Sequence, residues 1–415
     1  MEQRSQELHL GDSLRAYDNQ RVRRLLVAVI VGMAFPAQAD AARDYAPQGL
    51  SDTVTTAHFV VHYTSLRGNE NAITLAAARR VAANAERVWS VEVDGWGYPA
   101  PLDDGDGRVD IDVFRFTSGY AGDAYPLSTH RRAWQFPGRI ELNAAFATNL
   151  GVLGHEFFHV LQFGMFGRNA RWLDESTARW SEHEADWPDG WPTALDDSYL
   201  AHPNMSLDCT AAECPAGTWD GGYERWLFWA FLAQRHGRTV VRDFYSTEPA
   251  WAASLAVGQP FSTTAALDSF LRARGSSLAQ AFSEFAVANA ARTYPAAAQV
   301  DGVVATRVAL GAPTSVRVGH LAAEYLELAR STPCRGVRLH LALAAPQKAD
   351  QPYLVFGTVA APLTAFVDMQ WNTCSRRTLI VIPNGSLTGD PLDYTLTASV
   401  RRASLAAHSA LNRMS

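Results

Sequence analysis

The stretch Gly-His-Glu-Phe-Phe-His at residues 154–159 constrains this chain more than any other, because it contains the pattern His-Glu-x-x-His. On an α-helix, side chains four residues apart lie one above the other, so His155 and His159 can bind one metal ion through their imidazole nitrogens. Glu156 is turned about 100° from His155. It therefore lies beside the ion, where a general base for a metal-bound water belongs.

The residues around this pattern favour a buried helix. Its apolar side chains cluster on the face opposite the two histidines: Leu150, Leu153, Phe157, Val160 and Leu161. Thr148 or Asn149 is a suitable N-cap, and Gly164 is the expected end. The alternative is a core helix whose histidines are only hydrogen-bonded, but that leaves the carboxylate of Glu156 among apolar neighbours with nothing to neutralise it.

A tetrahedral catalytic zinc site needs a third protein ligand and leaves the fourth position to water. We predict Glu175, in the segment Arg-Trp-Leu-Asp-Glu-Ser-Thr-Ala-Arg-Trp-Ser-Glu at 171–182. The alternative is a solvated helix face with an i,i+4 pair between Glu175 and Arg179. Asp174 suits a helix cap or a partner for one of the histidines. Three nearby residues are reserve ligands if the helix register differs: Glu182, His183 and Glu184.

The two metal segments resemble a known group of enzymes. His-Glu-x-x-His followed by a glutamate on a second helix is the gluzincin arrangement of thermolysin-like proteases and many zinc aminopeptidases. The fuller pattern is similar to a group of predicted secreted bacterial metalloproteases, and the similarity extends from residues 58–63 to about Tyr294. One departure concerns the common Asn-Glu-x-x-Ala form, which here has Asp174 before Glu175. The resemblance implies a zinc site and a zincin-like fold.

We therefore expect a zinc metallopeptidase that acts on a protein or peptide substrate. Zinc on His155, His159 and Glu175 would activate a water molecule, with Glu156 as general base. Tyr223 is the first candidate for stabilising the oxyanion, and Tyr199 and His236 are weaker ones. Two other classes stay open, a non-catalytic surface or binding protein on a zincin scaffold and a zinc hydrolase of a non-peptide bond.

The N-terminus predicts secretion. A basic segment at 21–24, an apolar run at 25–35 and the small-x-small site at 37–39 form a signal peptide over residues 1–39, of which roughly the first 20 are interpreted as a start-site artefact. Eleven apolar residues are too few to cross a bilayer, so we expect no stable membrane anchor. The predicted location is extracellular or periplasmic. A net charge of −6 without a basic patch argues against a nucleic-acid partner.

Four cysteines fit an oxidising destination. Two of them are close in one loop and two lie in the last third of the chain. We predict the pairs Cys209–Cys214 and Cys334–Cys374, although four cysteines allow three pairings. Zinc ligation by the cysteines is the alternative, but neither pair has Cys-x-x-Cys spacing.

The patterns predict an α+β zincin-like domain at 40–298, with a mixed sheet and helices, followed by an all-β antiparallel sandwich at 299–400 and a disordered tail at 401–415. In the first domain the predicted strands are 58–63, 109–116 and 139–142, and the predicted helices are 72–88, 224–235 and 278–291. In the second, the predicted strands are 325–329, 336–343, 353–359, 379–382 and 394–400. The acidic loop at 103–110 partly resembles a calcium site, but a plain acidic turn is the favoured interpretation because the first ligand position is Leu102 and no bidentate Glu closes it.

Overall fold

The fold is known from a computed structural model of the 415-residue chain. It describes residues 49–116, 120–127, 134–187, 198–209, 222–257, 259–329, 336–346, 350–372, 377–387, 389 and 391–401. A mixed α/β region with helices comes first, and a region of mostly antiparallel β-sheets follows. The coarse fold class expected from the sequence is therefore confirmed. The predicted signal peptide and nearly all of the predicted tail lie outside the described residues.

The first region contains a five-stranded sheet in the order β1-β2-β3-β5-β4. Its strands are β1 (Asp52–Thr55), β2 (Phe59–Tyr63), β3 (Val109–Phe114), β4 (Gly122–Pro126) and β5 (Gly138–Asn143). Strands β2, β3 and β5 are parallel, and they correspond to the three predicted strands. Strand β4 was not predicted. It pairs antiparallel with β5 and lies at the edge of the sheet.

The two faces of this sheet differ in polarity because side chains alternate along each strand. One face carries fully buried apolar residues such as Phe59, Ile111 and Ile140, which join the core formed with the helices. The other face carries Asp112, and Arg139 and Glu141 lie on the neighbouring strand beside it. The helices, and the residues they carry, therefore pack on the apolar face.

Eight α-helices are present in the described residues. They are α1 (Leu75–Trp89), α2 (Leu150–Phe166), α3 (Arg171–Ala185), α4 (Ser198–Ala201), α5 (Trp226–His236), α6 (Val240–Ala253), α7 (Thr263–Arg272) and α8 (Leu278–Ala291). Helices α1, α5 and α8 match the three helices predicted outside the metal segments. Helices α4, α6 and α7 were not predicted.

Helix α2 starts where the sequence predicted but ends later. The Asn149 side chain caps it by accepting a hydrogen bond from the backbone N–H of Val152 at 3.0 Å. The predicted end at Gly164 is wrong, because the helix continues to Phe166. The last turn continues because it buries apolar side chains, and Phe166 is 0 % exposed. Burial here outweighs the low helix propensity of one glycine, which costs only about 1 kcal/mol.

The second region consists of two sheets. One has the order β11-β10-β13-β8-β6 and the other β12-β9-β14-β7. The strands are β6 (Thr306–Val308), β7 (Pro313–Val318), β8 (Ala322–Leu328), β9 (Gly336–Ala344), β10 (Tyr353–Phe356), β11 (Val359–Pro362), β12 (Phe366–Asn372), β13 (Thr378–Asn384) and β14 (Leu392–Arg401). All pairs except β6 with β8 are antiparallel. A second apolar core, with Leu326, Leu341 and Ile380 at 0 % exposure, lies in this region.

The predicted strand at 353–359 is two strands. Strand β10 ends at Phe356 and β11 begins at Val359, and the two form an antiparallel hairpin. Gly357 lies in the turn with a φ of 58°, in the left-handed region that glycine adopts without steric cost. The apolar run therefore contains a turn that its hydrophobicity conceals.

The five-stranded sheet of the second region also packs against the first region. The hydroxyl of Tyr325 on β8 donates to the carbonyl oxygen of Ala286 on α8 at 2.9 Å. Tyr325, Val355 and Val381 belong to the same apolar cluster as the core of the first region. One face of this sheet therefore contributes to the second core and the other face to the first.

The predicted disulfide pairs stay untested. Of the four cysteines only Cys209 is described; it is buried, and Cys214, Cys334 and Cys374 lie outside the described residues. In the ranges given above, no helix is long and apolar enough to cross a membrane.

Candidate metal centre

Helices α2 and α3 bring the three predicted ligands together. The Nε2 atoms of His155 and His159 are 3.1 Å apart. Oε2 of Glu175 lies 3.2 Å from Nε2 of His155 and 3.4 Å from Nε2 of His159. The three atoms thus form a nearly equilateral triangle. The three residues make a buried group that could hold a metal ion.

The triangle fits zinc in size and chemistry. Tetrahedral ligand atoms at about 2.0–2.1 Å from zinc lie roughly 3.3–3.4 Å from one another, close to the three separations found here. Two imidazoles and one carboxylate are a donor set found in catalytic zinc sites, where three protein ligands leave one position open. The residues present therefore fit a zinc ion.

His155 is oriented from behind by a carboxylate. Its Nδ1 donates to Oε1 of Glu182 at 2.7 Å, and the other oxygen of Glu182 accepts from the guanidinium of Arg179. Because Nδ1 donates in this bond, Nε2 is the nitrogen that faces the candidate metal position, and it would bind an ion there in place of its own proton. Glu182, a reserve ligand in the sequence analysis, therefore supports a ligand. The alternative of a solvated helix face required a pair between Glu175 and Arg179, but Arg179 pairs with Glu182.

The other two reserve ligands lie elsewhere on α3. His183 stacks on Trp226, with the ring centroids 3.6 Å apart. Glu184 forms an ion pair with Arg238 at 2.7 Å. Neither belongs to the buried group.

His159 has a different partner, which the sequence analysis missed. Its Nδ1 lies 2.6 Å from Oε1 of Gln162, one turn further along α2. Asp174 was expected as a cap or as a partner for a histidine, but its carboxylate accepts a hydrogen bond from Tyr245 at 2.7 Å. The signal that could have identified Gln162 is its polarity on a helix whose other buried positions are mostly apolar.

The electrostatics of the group favour a positive charge. Burial lowers the pKa of His155, but hydrogen bonds with Glu175 and Glu182 outweigh it and raise the pKa to about 10. The pKa of Glu175 is lowered well below its usual value, because its hydrogen bonds with the two histidines outweigh its burial. Carboxylates that hold protons on imidazoles in this way would equally stabilise a divalent cation in their place.

Glu156 lies beside the ligand triangle and not in it. The side chain is 6 % exposed, and burial raises its pKa to about 7 although the two histidines oppose that shift. It packs closely on strand β4. A Cβ atom added to Gly122 would lie 2.7 Å from Cγ of Glu156 and 2.8 Å from its Oε1. Only glycine leaves room for this carboxylate.

A cavity of about 310 Å³ opens onto these groups. Its described lining consists of the predicted ligands and base together with five further residues: Tyr120, Gly122, Asp123, Arg171 and Tyr223. The start of strand β4 and Tyr120, two residues before it, thus form one wall. Tyr120, Gly122, Asp123 and Arg171 were not predicted as site residues, because tertiary packing brings them to the cavity.

Tyr223 lies in this cavity. Its ring stacks on that of His155 with the centroids 5.4 Å apart, and its hydroxyl hydrogen-bonds Glu175. Burial, reinforced by Glu175 and Glu156, raises the pKa of the phenol well above its usual value, so it stays a donor. The weaker candidates, Tyr199 and His236, are not among the described residues that line the cavity.

A further buried acid lies behind the group. Glu92 is 0 % exposed, in a short π-helical turn (Ser90–Gly95) after α1, and neither carboxyl oxygen has a hydrogen-bond partner in the described part of the chain. Burial raises its pKa well above the usual value; His155 lowers it and Glu182 raises it further. Burial therefore disfavours the charged form of the Glu92 carboxyl group.

The acidic loop brings three carboxylates together, those of Asp103, Asp104 and Asp106. Oδ1 of Asp103 accepts hydrogen bonds from the backbone N–H groups of Gly105 and Gly107 at 2.8 and 2.7 Å. These bonds hold the turn, and the three carboxylates form a group that could hold a cation, so the plain acidic turn stays a prediction.

Comparison with protein-family models gives no match, and comparison with curated proteins gives none either. The class of the protein is therefore inferred from the site. A buried His-His-Glu group on two adjacent helices, beside a mixed sheet, is consistent with a His-Glu-x-x-His-type metal site.

Proposed function

We propose that the protein is a secreted zinc-dependent metallopeptidase. The observation that carries the proposal is the triangle of ligand atoms from His155, His159 and Glu175 with the carboxyl group of Glu156 beside it in one open cavity. Zinc bound there would supply Lewis acidity, polarising a carbonyl group and making a water molecule acidic enough to attack near neutral pH.

The residues of the chain have separate tasks in this proposal. Glu156 takes a proton from the attacking water and delivers it to the departing amine nitrogen, because its carboxyl group lies beside the ligand triangle without belonging to it. Tyr223 donates a hydrogen bond to the oxygen that becomes negative as the carbonyl carbon turns tetrahedral. Its place beside His155 and Glu175 supports this role.

The edge strand β4 supports a peptide as the substrate. No other strand of the described residues pairs with its outer edge. An extended peptide can add to such an edge through backbone hydrogen bonds. Gly122, at the start of β4, lies against Glu156, so a peptide bound along this edge would pass the proposed base.

The test separates the base from a ligand. Glu156→Gln keeps the size of the side chain but cannot accept a proton, so this variant should hold one zinc ion per chain and lose activity by about 10²–10⁴-fold. Glu175→Gln removes an anionic ligand, so zinc affinity and activity should fall together. Glu184→Gln, on the same helix but in the surface pair with Arg238, is the matched control and should change neither.

Two measurements are needed, zinc content by elemental analysis and cleavage of a broad peptide library. An active Glu156→Gln variant would refute the proposed mechanism. A wild-type protein that binds zinc tightly and cleaves no peptide would favour the alternatives, a non-peptide hydrolase or a binding protein on this scaffold. A wild-type protein that binds no zinc would refute the proposal altogether.

Secretion is part of the proposal and has its own tests. We expect the mature chain to begin within a few residues of Asp40, and Edman sequencing of exported protein that still contains residues 25–35 would contradict this. We also propose the pairs Cys209–Cys214 and Cys334–Cys374. Peptide mapping without reduction would refute them if it found other pairings or free thiols.

A further inference from the structure

The two histidines of the metal centre have unlike partners behind them. Nδ1 of His155 faces the carboxylate of Glu182, whereas Nδ1 of His159 faces the side-chain amide of Gln162. A carboxylate can only accept a hydrogen bond from an imidazole N–H. An amide can present either its oxygen or its nitrogen, so its orientation decides which ring nitrogen of His159 carries the proton.

The other contacts of Gln162 settle this orientation. Its Nε2 lies 2.8 Å from the backbone carbonyl oxygen of Asp174 and 2.7 Å from Oγ1 of Thr177. A carbonyl oxygen accepts hydrogen bonds and donates none. The amide nitrogen must therefore face α3 and the amide oxygen must face His159. It follows that Nδ1 of His159 carries a proton, which leaves Nε2 as the nitrogen that can bind a metal ion in the ligand triangle.

The same amide connects the two ligand-bearing helices. Gln162 and His159 are on α2, while Asp174 and Thr177 flank the ligand Glu175 on α3. The hydrogen bonds of Gln162 therefore run from one ligand to the backbone next to another. They hold Nε2 of His159 and Oε2 of Glu175 at their separation of 3.4 Å.

Helix α6 reinforces this arrangement. The hydroxyl of Tyr245 donates to Oδ1 of Asp174 at 2.7 Å and lies 3.1 Å from Oγ1 of Thr177. Tyr245 is 0 % exposed and Gln162 is 2 % exposed, so water does not compete for these bonds. The two acceptors that orient Gln162 are thus held from the far side as well.

We propose that Gln162 is a positioning residue of the metal centre, which sets the tautomer and the ring orientation of His159 and ties that ligand to α3. This inference rests on the metal site of the proposed function but does not depend on which bond is hydrolysed. It predicts that the oxygen acceptor of Gln162 matters for metal affinity even though the residue touches no metal. Loss of such an outer partner typically weakens metal binding by about 10–100-fold.

Three variants test the proposal by zinc affinity, measured in competition with a chromophoric chelator. Gln162→Met keeps the length of the side chain but removes the acceptor, and zinc affinity should fall by about 10–100-fold. Gln162→Glu keeps an oxygen acceptor for Nδ1 but, when ionised, loses the donor to the Asp174 carbonyl, so zinc affinity should fall less than in Gln162→Met. Tyr245→Phe leaves Gln162 and its contact with the Asp174 carbonyl in place, and the loss should be smaller than for Gln162→Met.

The matched control is Gln135→Met. Gln135 also donates through Nε2 to a backbone carbonyl of α2, that of Met165 at 3.3 Å, but outside the metal group. Its substitution should leave zinc affinity unchanged. The visible absorption of the cobalt-substituted protein gives a second measurement, because a reoriented His159 would alter the band positions in Gln162→Met and not in Gln135→Met.

The outcomes separate this inference from the proposed function. A wild-type protein without zinc affinity would remove the proposed function. Unchanged zinc affinity and an unchanged cobalt spectrum in a folded Gln162→Met variant would refute the role of Gln162 and leave the proposed function standing. Equal losses in Gln162→Met and Gln162→Glu would also refute it, because the oxygen acceptor would then not be what matters.

Discussion

Gly122 offers a test of how closely strand β4 holds the proposed base. The three atoms nearest to a Cβ added at this position all belong to Glu156, at 2.7, 2.8 and 3.0 Å. Carbon atoms in contact normally lie about 3.5–4.0 Å apart. Gly122→Ala would therefore push the carboxyl group of Glu156 away by roughly 1 Å or push β4 outward.

The expected effect on rate is large and the effect on metal binding is small. A displacement of about 1 Å of a catalytic group can cost on the order of 10²-fold in rate, within the 10²–10⁴-fold that a general base contributes. Gly122 is in regular strand conformation, so alanine fits its backbone. The cost in folding free energy should stay within the usual 1–3 kcal/mol of an overpacked site, and zinc content should remain one per chain.

A double-mutant cycle with Glu156→Gln identifies the cause. If Gly122→Ala acts by displacing the base, it should lower kcat by about 10²-fold in the wild type and hardly at all in the Glu156→Gln background, where the base is already lost. Peptide cleavage, zinc content and thermal unfolding are measured on all four proteins.

Two results would refute this reasoning. An equal loss of rate in both backgrounds would show that the methyl group acts through the strand or the substrate and not through Glu156. A Gly122→Ala variant with at least half the wild-type kcat would show that the base is not held against β4 as the structure places it.

Three further predictions follow from buried positions. Gly154→Ala places a Cβ 2.5 Å from the indole Nε1 of Trp187 and should lower the free energy of unfolding by about 1–3 kcal/mol, whereas Gly164→Ala, with no atom closer than 3.7 Å, should be neutral or stabilising in urea titrations. The raised pKa of Glu92 means that the folded state keeps a proton that the unfolded state releases, so above the ordinary pKa of a glutamate the wild type loses stability with rising pH. Glu92→Gln removes this loss, so in metal-free urea titrations its stability relative to the wild type should grow by up to about 1.4 kcal/mol per pH unit as the pH rises above the ordinary pKa of a glutamate; a constant difference would contradict it. Tyr223→Phe should lower kcat by about 10²-fold with zinc content unchanged, and an undiminished kcat would remove Tyr223 from the mechanism.

The parts of the site that could be predicted from the sequence are those with a local origin. His155, Glu156 and His159 lie within two turns of one helix, so helical periodicity alone places them. Glu175 was predictable because the next helix follows after a short connection. Gln162 was not identified, because its role depends on acceptors on α3, and no residue spacing reveals which helix faces it.

The fold shows the same division. Helix α8 has the predicted bounds because its pattern is clear, but α6 contains Pro249, which normally indicates a helix end. Burial of residues such as Phe244 and Tyr245 keeps α6 helical across that proline. Strand β4 has no alternating burial pattern, so no local signal in the sequence predicts it. Its strand conformation depends on antiparallel pairing with β5.

The five-stranded sheet of the second region packs on both of its faces, and this affects whether the two regions could exist as separate fragments. If the chain were cut near Gln299, the face of this sheet that carries Tyr325, Val355 and Val381 would lose its cover, and α8 would expose the apolar side that meets it. Apolar patches of this kind promote aggregation. We therefore expect neither half to be soluble as a separate fragment, and limited proteolysis should leave both halves associated after the backbone is cleaved.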